Sequence, residues 1–130
     1  MKQIVIVTEN RPGVVAKISE LLGKKGINIE SINADAVGNY GVITLMVDRV
    51  DLAVALLKDA SYDAKVEDAL VVNLHDEPGA LAVLSRRFLD ADINIRSIRI
   101  VRRGEGSTLV AIATNRTHEA MDLVKDLLHE

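Results

Sequence analysis

The chain repeats itself, and this repeat limits the folds open to it more than any other feature. Pro12-Gly13 recurs as Pro78-Gly79, an offset of 66 residues. Between positions 10 and 32, nine of 23 residues are identical at that offset. A fixed register over this length indicates two copies of one structural unit. The repeat therefore divides the 130 residues into two predicted domains, 1–66 and 67–130.

Each copy shows the same order of predicted elements. A short run rich in β-branched residues, Ile4–Val7 in the first copy, predicts a strand. A polar turn then leads into apolar residues at helical spacing. These predicted helix faces are Val15, Ile18 and Leu22 in the first copy and Leu81, Leu84 and Phe88 in the second. Two more strands, a second helix and a last strand complete the order βαββαβ, which predicts two α+β units of ferredoxin-like type.

Further boundaries follow from the same patterns. The step from Ile27 and Ile29 to Ile32 predicts a bulge in the second strand, and the second copy repeats it. Hairpin turns are expected at 39–41 and 104–106, because glycine favours tight turns. The second helices are predicted over about 51–59 and 117–128.

The second copy ends early. Residues equivalent to the predicted last strand, Tyr62–Glu67, would fall near 128–133, beyond residue 130. The second unit is therefore expected to lack most of its last strand, which leaves a strand edge unpaired. Several strands are also apolar on both faces, whereas helices on one side of a sheet cover only one face. We therefore expect a homodimer or a higher homo-oligomer.

Composition narrows the function classes. Apolar residues make up 48% of the chain, which suffices for a core, and the formal net charge is −3. This charge favours neither general nucleic-acid binding nor attraction to a membrane surface. There is no cysteine, no signal-peptide layout and no apolar run long enough for a membrane span. A soluble cytoplasmic protein is expected.

The turn before each first helix carries the main functional signal. The first N–H groups of a helix have no partner within the helix and lie at the positive end of its dipole, so a carboxylate fits there. Gly13 and Gly79 would let a ligand approach the backbone closely. Asn10 and Asp76 hold the same position in the two turns, where each could accept a hydrogen bond from an ammonium group or cap the helix.

An asparagine also begins the second strand of each copy. Asn28 and Asn94 stand between isoleucines, and an amide offers both a donor and an acceptor to a zwitterion. The segments Asn10-Arg11-Pro12-Gly13-Val14 with Gly26-Ile27-Asn28-Ile29, and Asp76-Glu77-Pro78-Gly79-Ala80 with Ile93-Asn94-Ile95, resemble the ACT domain. The full layout resembles the small stand-alone tandem ACT proteins over nearly the whole chain.

This resemblance implies an amino-acid-binding regulatory protein that exerts allosteric control of amino-acid metabolism. In the ACT family, paired domains bind free amino acids at domain interfaces, between the strand-to-helix loop of one domain and the second strand of its neighbour. The implied ligand-binding residues are Asn10, Pro12, Gly13, Val14, Asn28, Ile29, Asp76, Pro78, Gly79, Ala80, Asn94 and Ile95. Asp76 stands where the first copy has Asn10, and Asp92 replaces a glycine, so the first copy is predicted to hold the better site.

Other interpretations stay open. The first copy also resembles the regulatory subunit of acetolactate synthase, in 9–14 and 27–31, which implies a non-catalytic dimerisation subunit of a separate enzyme. Alternatively, Pro-Gly after a strand is only a turn and a helix start. Six arginines between Arg86 and Arg103 would suit an acidic partner, a phosphate-bearing ligand or RNA, or would form a solvated strand edge with local salt bridges.

No pattern predicts catalysis. The serines lie outside any nucleophile motif, and Gly104-Glu105-Gly106 is a hairpin turn and not a phosphate loop. His75 lacks the spaced partners that a metal site needs, and His118 with Asp122 is expected to be a solvated pair. The sequence therefore predicts a non-enzyme without a cofactor or a metal.

Overall fold

The computed structural model describes residues 1–129. The chain forms two compact units. The N-terminal unit is Lys2–Glu67, and the C-terminal unit begins at Asp68 and includes Met1. Each unit has its own hydrophobic core.

The N-terminal unit is a four-stranded sheet with two helices. Its elements are β1 (Lys2–Glu9), α1 (Val14–Gly23), β2 (Ile29–Val37), β3 (Tyr40–Val47), α2 (Val50–Asp59) and β4 (Asp63–Asp68). The strand order is β2-β3-β1-β4, and β3 is antiparallel to both β1 and β2. Strands β1 and β2 are therefore parallel to each other with β3 between them, and α1 makes the crossover that such a pair requires.

The core of this unit lies between α1, α2 and one face of the sheet. Val14, Ile18 and Leu22 recur every four residues on α1 and are buried against Ile4 and Leu45, among others. The buried face of α1 thus begins at Val14. The prediction that it begins at the neighbouring valine was wrong, because that side chain is exposed.

The C-terminal unit repeats this order without a complete fourth strand. Its elements are β5 (Leu70–His75), α3 (Ala80–Asp90), β6 (Ile95–Gly104), β7 (Ser107–Thr114), α4 (Thr117–Leu123) and a 3-10 helix (Lys125–Leu127). The sheet order is β5-β7-β6, with β7 antiparallel to both neighbours. Leu84 and Phe88 of α3 lie in the core, whereas Leu81, predicted to share their face, is exposed.

The end of the chain begins the missing strand. Leu128 forms an isolated bridge with Val72, and the N–H of His129 donates to the Val71 carbonyl at 2.8 Å. This pairing explains why the predicted helix over 117–128 ends early, at Leu123. The open edge of β5 offers unpaired backbone groups, and the chain leaves the helix to satisfy some of them.

The predicted bulge is present in both second strands. The register shifts between Ile29 and Ser31 in β2, and between Ile95 and Ser97 in β6. Strand β6 has a further register shift between Ile100 and Arg102, which β2 lacks. This extra residue moves every later β6 position by one relative to its partner strand.

Left-handed backbone conformations mark the turns. Gly13 and Gly79 have φ of 86° and 87° and directly precede the helices, which explains the need for glycine there. The prolines therefore lie before the cap residue, outside the helices. Asp92 also has a positive φ, of 56°, because the turn requires a left-handed backbone there. Aspartate suits this conformation less well than glycine.

The hairpin turns are tighter than predicted. Gly38 and Asn39 join β2 to β3, so Tyr40 and the glycine after it already belong to β3. In the C-terminal unit, Glu105 and Gly106 form the turn, and both have positive φ.

Across residues 1–129, no helix has the length and apolar character to cross a membrane.

Candidate ligand-binding sites

The first turn of α1 presents unpaired backbone donors. Lys17 donates its N–H to the Gly13 carbonyl at 2.9 Å, but within residues 1–129 the N–H groups of Val14, Val15 and Ala16 have no acceptor. The side chain of Asn10 does not cap the helix, so that predicted alternative was wrong. Three N–H groups at the positive end of the helix dipole therefore remain open to an anion.

These donors open onto a cavity of about 400 Å³, which we name the N-terminal loop cavity. Its floor is the loop after β1 together with the first turn of α1, and its wall is the hairpin of β2 and β3. The wall is formed by small side chains, because Ala34 and Ala36 of β2 and Gly41 of β3 stand there. The complete lining is Thr8, Glu9, Asn10, Arg11, Gly13, Val14, Val15, Ala16, Ala34, Asp35, Ala36, Gly41 and Ile43.

The rim of the N-terminal loop cavity carries charges that are already engaged. Arg11 Nε lies 3.3 Å from Glu9 Oε2, with both side chains exposed. Asp35 accepts a hydrogen bond from the Asn33 side chain at 2.7 Å. Such exposed pairs contribute little energy and can exchange their partners. Asn10 and Asp35 both line the cavity of the open helix donors, but the Asp35 side chain points, like that of Asn33, to the other face of the sheet from Ala34 and Ala36.

The first turn of α3 presents fewer open donors. The N–H of Ala80 donates to the Glu77 carbonyl at 3.3 Å, and that of Val83 donates to Gly79 at 3.0 Å. Within the described chain, the N–H groups of Leu81 and Ala82 have no acceptor. Two donors therefore remain in this turn, against three in α1.

Of these two residues, only Leu81 lines a smaller space of about 240 Å³, which we name the C-terminal loop cavity. Strand pairing shows which residues correspond in the two cavities. Ala36 pairs with Gly41, and Arg103 pairs with Thr108 at the equivalent rung. The complete lining is Leu74, His75, Asp76, Glu77, Pro78, Gly79, Ala80, Leu81, Ile100, Arg103 and Thr108.

The larger side chains account for the smaller volume. Ile100 pairs with Val110 as Ala34 pairs with Ile43, so isoleucine and arginine replace two alanines. Arg103 reaches this rung only because β6 has its second bulge. At the constant offset of the sequence repeat, Arg102 would have matched Ala36.

Thr108 adds a buried polar atom. This side chain is 6% exposed, and its Oγ1 has no hydrogen-bond partner among the described residues. It lines the C-terminal loop cavity at the rung where the N-terminal unit has Gly41. A buried hydroxyl without a partner costs roughly 1–3 kcal/mol, so such a group is rarely retained without a reason.

The predicted strand residues lie elsewhere. Asn28, Ile29, Asn94 and Ile95 line neither loop cavity, and neither does Pro12. The backbone N–H of Asn28 donates to Asp48 Oδ1 at 3.0 Å, and that of Asn94 donates to Asn115 Oδ1 at 3.1 Å. The two asparagine side chains are exposed and form no hydrogen bond within residues 1–129. The structure thus brings the loop residues together, but not the strand residues with them.

Sequence reasoning missed the hairpin walls. Ala34, Ala36, Ile100, Arg103 and Thr108 were not predicted as site residues, although they set the size and polarity of the cavities. A signal was present. The two copies match at an offset of 66 up to the second strand, and at 67 in the third strand, where Leu45 corresponds to Ile112. This one-residue slip marks the extra bulge.

Other charged side chains of the described chain form local ion pairs. Two members of the arginine group pair with carboxylates of their own unit: Arg86 with Asp90 at 3.2 Å, and Arg87 with Asp126 at 2.8 Å. The Arg87 hydrogen bonds lower the pKa of the Asp126 carboxyl group. Within residues 1–129, no group of three acidic or histidine side chains could hold a metal ion.

Comparisons with known proteins give the family. The sequence matches the family described as an ACT domain pair over residues 1–128. Protein BT0572 from Bacteroides thetaiotaomicron is similar in structure, with a TM-score of 0.86 and 22% identity over 98% of this chain and 90% of that chain. The ligand-free regulatory subunit of aspartate kinase from Thermus thermophilus has a TM-score of 0.69 and 20% identity over 96% and 91%.

The regulatory subunit of aspartate kinase from Thermus flavus gives similar values, with a TM-score of 0.67 and 19% identity over 96% and 90% of the two chains. At such identities these structures show a shared fold alone. No curated protein sequence gives a significant match.

Fold and family now agree. The molecule is a tandem pair of ferredoxin-like α+β units, as the repeat predicted. The chain belongs to the ACT domain pair family, which is a regulatory type of domain. The resemblance drawn from the Pro-Gly loops and the Ile-Asn-Ile strands is thereby confirmed.

Proposed function

We propose that this protein is a non-catalytic regulator that binds a free amino acid in its loop cavities, with the N-terminal loop cavity as the stronger site. One observation carries the proposal: three open N–H groups of α1 face a cavity of about 400 Å³. This volume falls within the range of roughly 300–1,000 Å³ that is usual for small-molecule sites. The backbone donors would bind the α-carboxylate without any cationic side chain.

The rest of the cavity suits the remaining parts of an amino acid. The ammonium group needs acceptors, and the side-chain oxygen of Asn10 on the same lining can supply one. The small wall around Ala34 and Ala36 leaves space for an apolar side chain. A neutral amino acid is therefore the ligand class that we propose for this cavity.

Assembly of two copies of the chain would bring the predicted strand residues to the ligand. Asn28 and Ile29 do not line a loop cavity of their own unit, and neither do Asn94 and Ile95. In the proposal, a second copy of the chain contributes them, so that each loop faces a strand of another protomer in a homodimer. The exposed amides of the two asparagines would then hydrogen-bond the bound zwitterion.

A ligand screen tests this function. The twenty amino acids are added at millimolar concentration, and binding is followed by thermal shift and calorimetry. A ligand at 100 times its Kd stabilises the folded state by about 2.7 kcal/mol, which a melting curve detects readily. Gly13→Ala should abolish the part of the response that comes from the N-terminal loop cavity, because alanine disfavours the left-handed backbone that positions the first turn. No response to any of the twenty would refute the proposal.

The matched control is Gly23→Ala. This glycine ends α1, has no positive φ, and a Cβ there would meet open space. It should leave ligand binding unchanged. If both variants lost binding equally, the effect would come from general damage to α1, and the loop would lose its assigned role.

The output of the regulator is proposed to be a separate enzyme of amino-acid metabolism. Solved structures with the same fold include regulatory subunits of aspartate kinase, which supports this role as an analogy of fold. Affinity capture from native lysate, with and without the ligand found in the screen, tests it. Recovery of a metabolic enzyme whose amount changes with ligand is the expected result. Elution of the chain alone under both conditions would contradict it.

A further inference from the structure

We propose that the C-terminal loop cavity selects an amino acid whose side chain carries a carboxylate, and that Arg103 and Thr108 supply this selectivity. The inference rests on the proposed function, because it names the ligand class of one of the two loop cavities. It goes further than that function, because the two cavities would then bind different amino acids.

The first argument is the hydroxyl of Thr108. Its Oγ1 is buried and has no partner in the described chain, and Thr108 lines the same cavity as Leu81, whose N–H is open. In the proposal, the Thr108 side chain turns its hydroxyl towards the cavity on binding, and a ligand oxygen accepts hydrogen bonds from this hydroxyl and from the Leu81 N–H. The cost of the unpartnered group would then be removed on binding. The equivalent residue, Gly41, has no side chain to play this part.

The second argument is the position of Arg103. The bulge after Ile100 places it at the rung opposite Thr108, where the N-terminal unit has Ala36. No ion pair or hydrogen bond joins its guanidinium group to residues 1–129. A planar guanidinium binds a carboxylate through two parallel hydrogen bonds, which favours recognition of that group over an amide.

The third argument is the pattern of charge. An acidic amino acid has two carboxylates and one ammonium group. The cavity offers two positive positions, at the first turn of α3 and at Arg103, and two acidic residues, Asp76 and Glu77, for the ammonium group. A neutral amino acid would leave Arg103 without a counter-ion. The volume of about 240 Å³ further favours a short side chain.

Calorimetry with matched ligand pairs tests the inference. L-aspartate and L-glutamate are compared with L-asparagine and L-glutamine, which have nearly the same shape without the second charge. We expect the better of the two acids to bind about tenfold or more tightly than its amide in the wild-type protein. Arg103→Gln should reduce this ratio to about one.

Two further variants sharpen the test. Arg102→Gln removes the same charge at a residue that does not line the cavity, and it should keep the preference for the acid. Thr108→Val removes the hydroxyl at nearly constant volume. It should weaken binding of the acid while raising the melting temperature of the ligand-free protein, because the buried unpartnered hydroxyl is gone. A general structural role of Thr108 would instead lower that temperature.

The outcomes are distinguishable. Equal affinity for acid and amide, or equal losses in Arg102→Gln and Arg103→Gln, would overturn the inference. If a neutral amino acid still bound in a Gly13-dependent manner, the proposed function would survive that result. A wild-type protein that binds none of the twenty amino acids would reject both.

Discussion

The two loop cavities share one backbone design and differ in their walls. Each combines a left-handed glycine with an uncapped helix start, at Gly13 and Gly79. The N-terminal wall is formed by alanine and glycine, whereas the C-terminal wall brings isoleucine, arginine and a buried threonine hydroxyl to equivalent rungs. The repeated motif thus sets the backbone geometry of both cavities, whereas the unrepeated hairpin sets their volume and polarity.

The units also differ in how their sheets are completed. Strand β4 lies beside β1 in the N-terminal unit, whereas the C-terminal unit has only the bridge between Leu128 and Val72 in its place. The C-terminal unit therefore has fewer hydrogen bonds to hold its outer strand. We expect it to be the first of the two to open.

The largest expected effect comes from the two cores. Phe88→Ala should cost roughly 3–5 kcal/mol and Leu22→Ala, at the equivalent helix position, roughly 2–5 kcal/mol, since both side chains are fully buried. Hydrogen exchange read separately for each unit measures this. Phe88→Ala should abolish protection in the C-terminal unit, while Leu22→Ala should lower protection in the N-terminal unit and spare part of it. Uniform loss across both units in both variants would contradict the comparison.

The loop glycines come next. Gly13→Ala and Gly79→Ala should each cost about 1–2 kcal/mol, because φ of 86° and 87° is unfavourable for a residue with a Cβ. A Cβ would meet nothing within 4 Å at either site, so the cost is that of the backbone alone. Urea unfolding measures both. Similar costs would support the shared design, and a neutral effect at one glycine would break it.

A wall residue of one cavity can be transferred to the other by substitution. Ala36→Arg gives the N-terminal loop cavity the arginine of its counterpart and should weaken a neutral amino acid bound there by about tenfold. The reason is the lost volume together with an unpaired charge. Val37→Arg is the control, since this exposed neighbour lies outside the cavity lining. Calorimetry compares the two, and equal losses would place the ligand away from the hairpin wall.

The smallest effect concerns the end of the chain. Arg87 lowers the pKa of Asp126, so the ionised carboxyl group stabilises the folded C-terminal unit above the ordinary pKa of aspartate. That contribution is lost as the pH falls through the lowered pKa in the folded state. Asp126→Asn should thus be slightly less stable than the wild type at neutral pH, and the difference should shrink below about pH 4.

Urea unfolding at several pH values measures this difference. Asp90→Asn, which breaks the exposed Arg86 pair, is the control and should show a smaller change. A difference between wild type and Asp126→Asn that grows towards acid would show that the sign is wrong.

Much of the fold was predictable because the two copies confirm each other. The order of elements, the first bulge and the truncated last strand all followed from the repeat. The predicted helix 117–128 was too long, because the local periodicity carries no information about the open edge of β5. The first residue of the buried face of α1 was also misplaced by one position, because the turn that sets the direction of the helix depends on φ of Gly13, which the sequence pattern does not show.

The candidate sites were predictable only in part. The loop residues follow from a local motif, and all but Pro12 line a cavity. The walls depend on which residues face each other across a hairpin, and a one-residue shift changes every later pair. Arg103 was therefore visible only as one of several clustered arginines, and nothing distinguished it until the register was known.

The second bulge of β6 has an evolutionary consequence. After a domain is duplicated, its two copies can acquire separate preferences only if one of them changes without losing its shape. A single inserted amino acid in an edge strand produces such a change. It alters which residues lie at one end of the hairpin, and it leaves the glycine turn and the helix start unchanged. Insertions there are a natural place to look when family members respond to different metabolites.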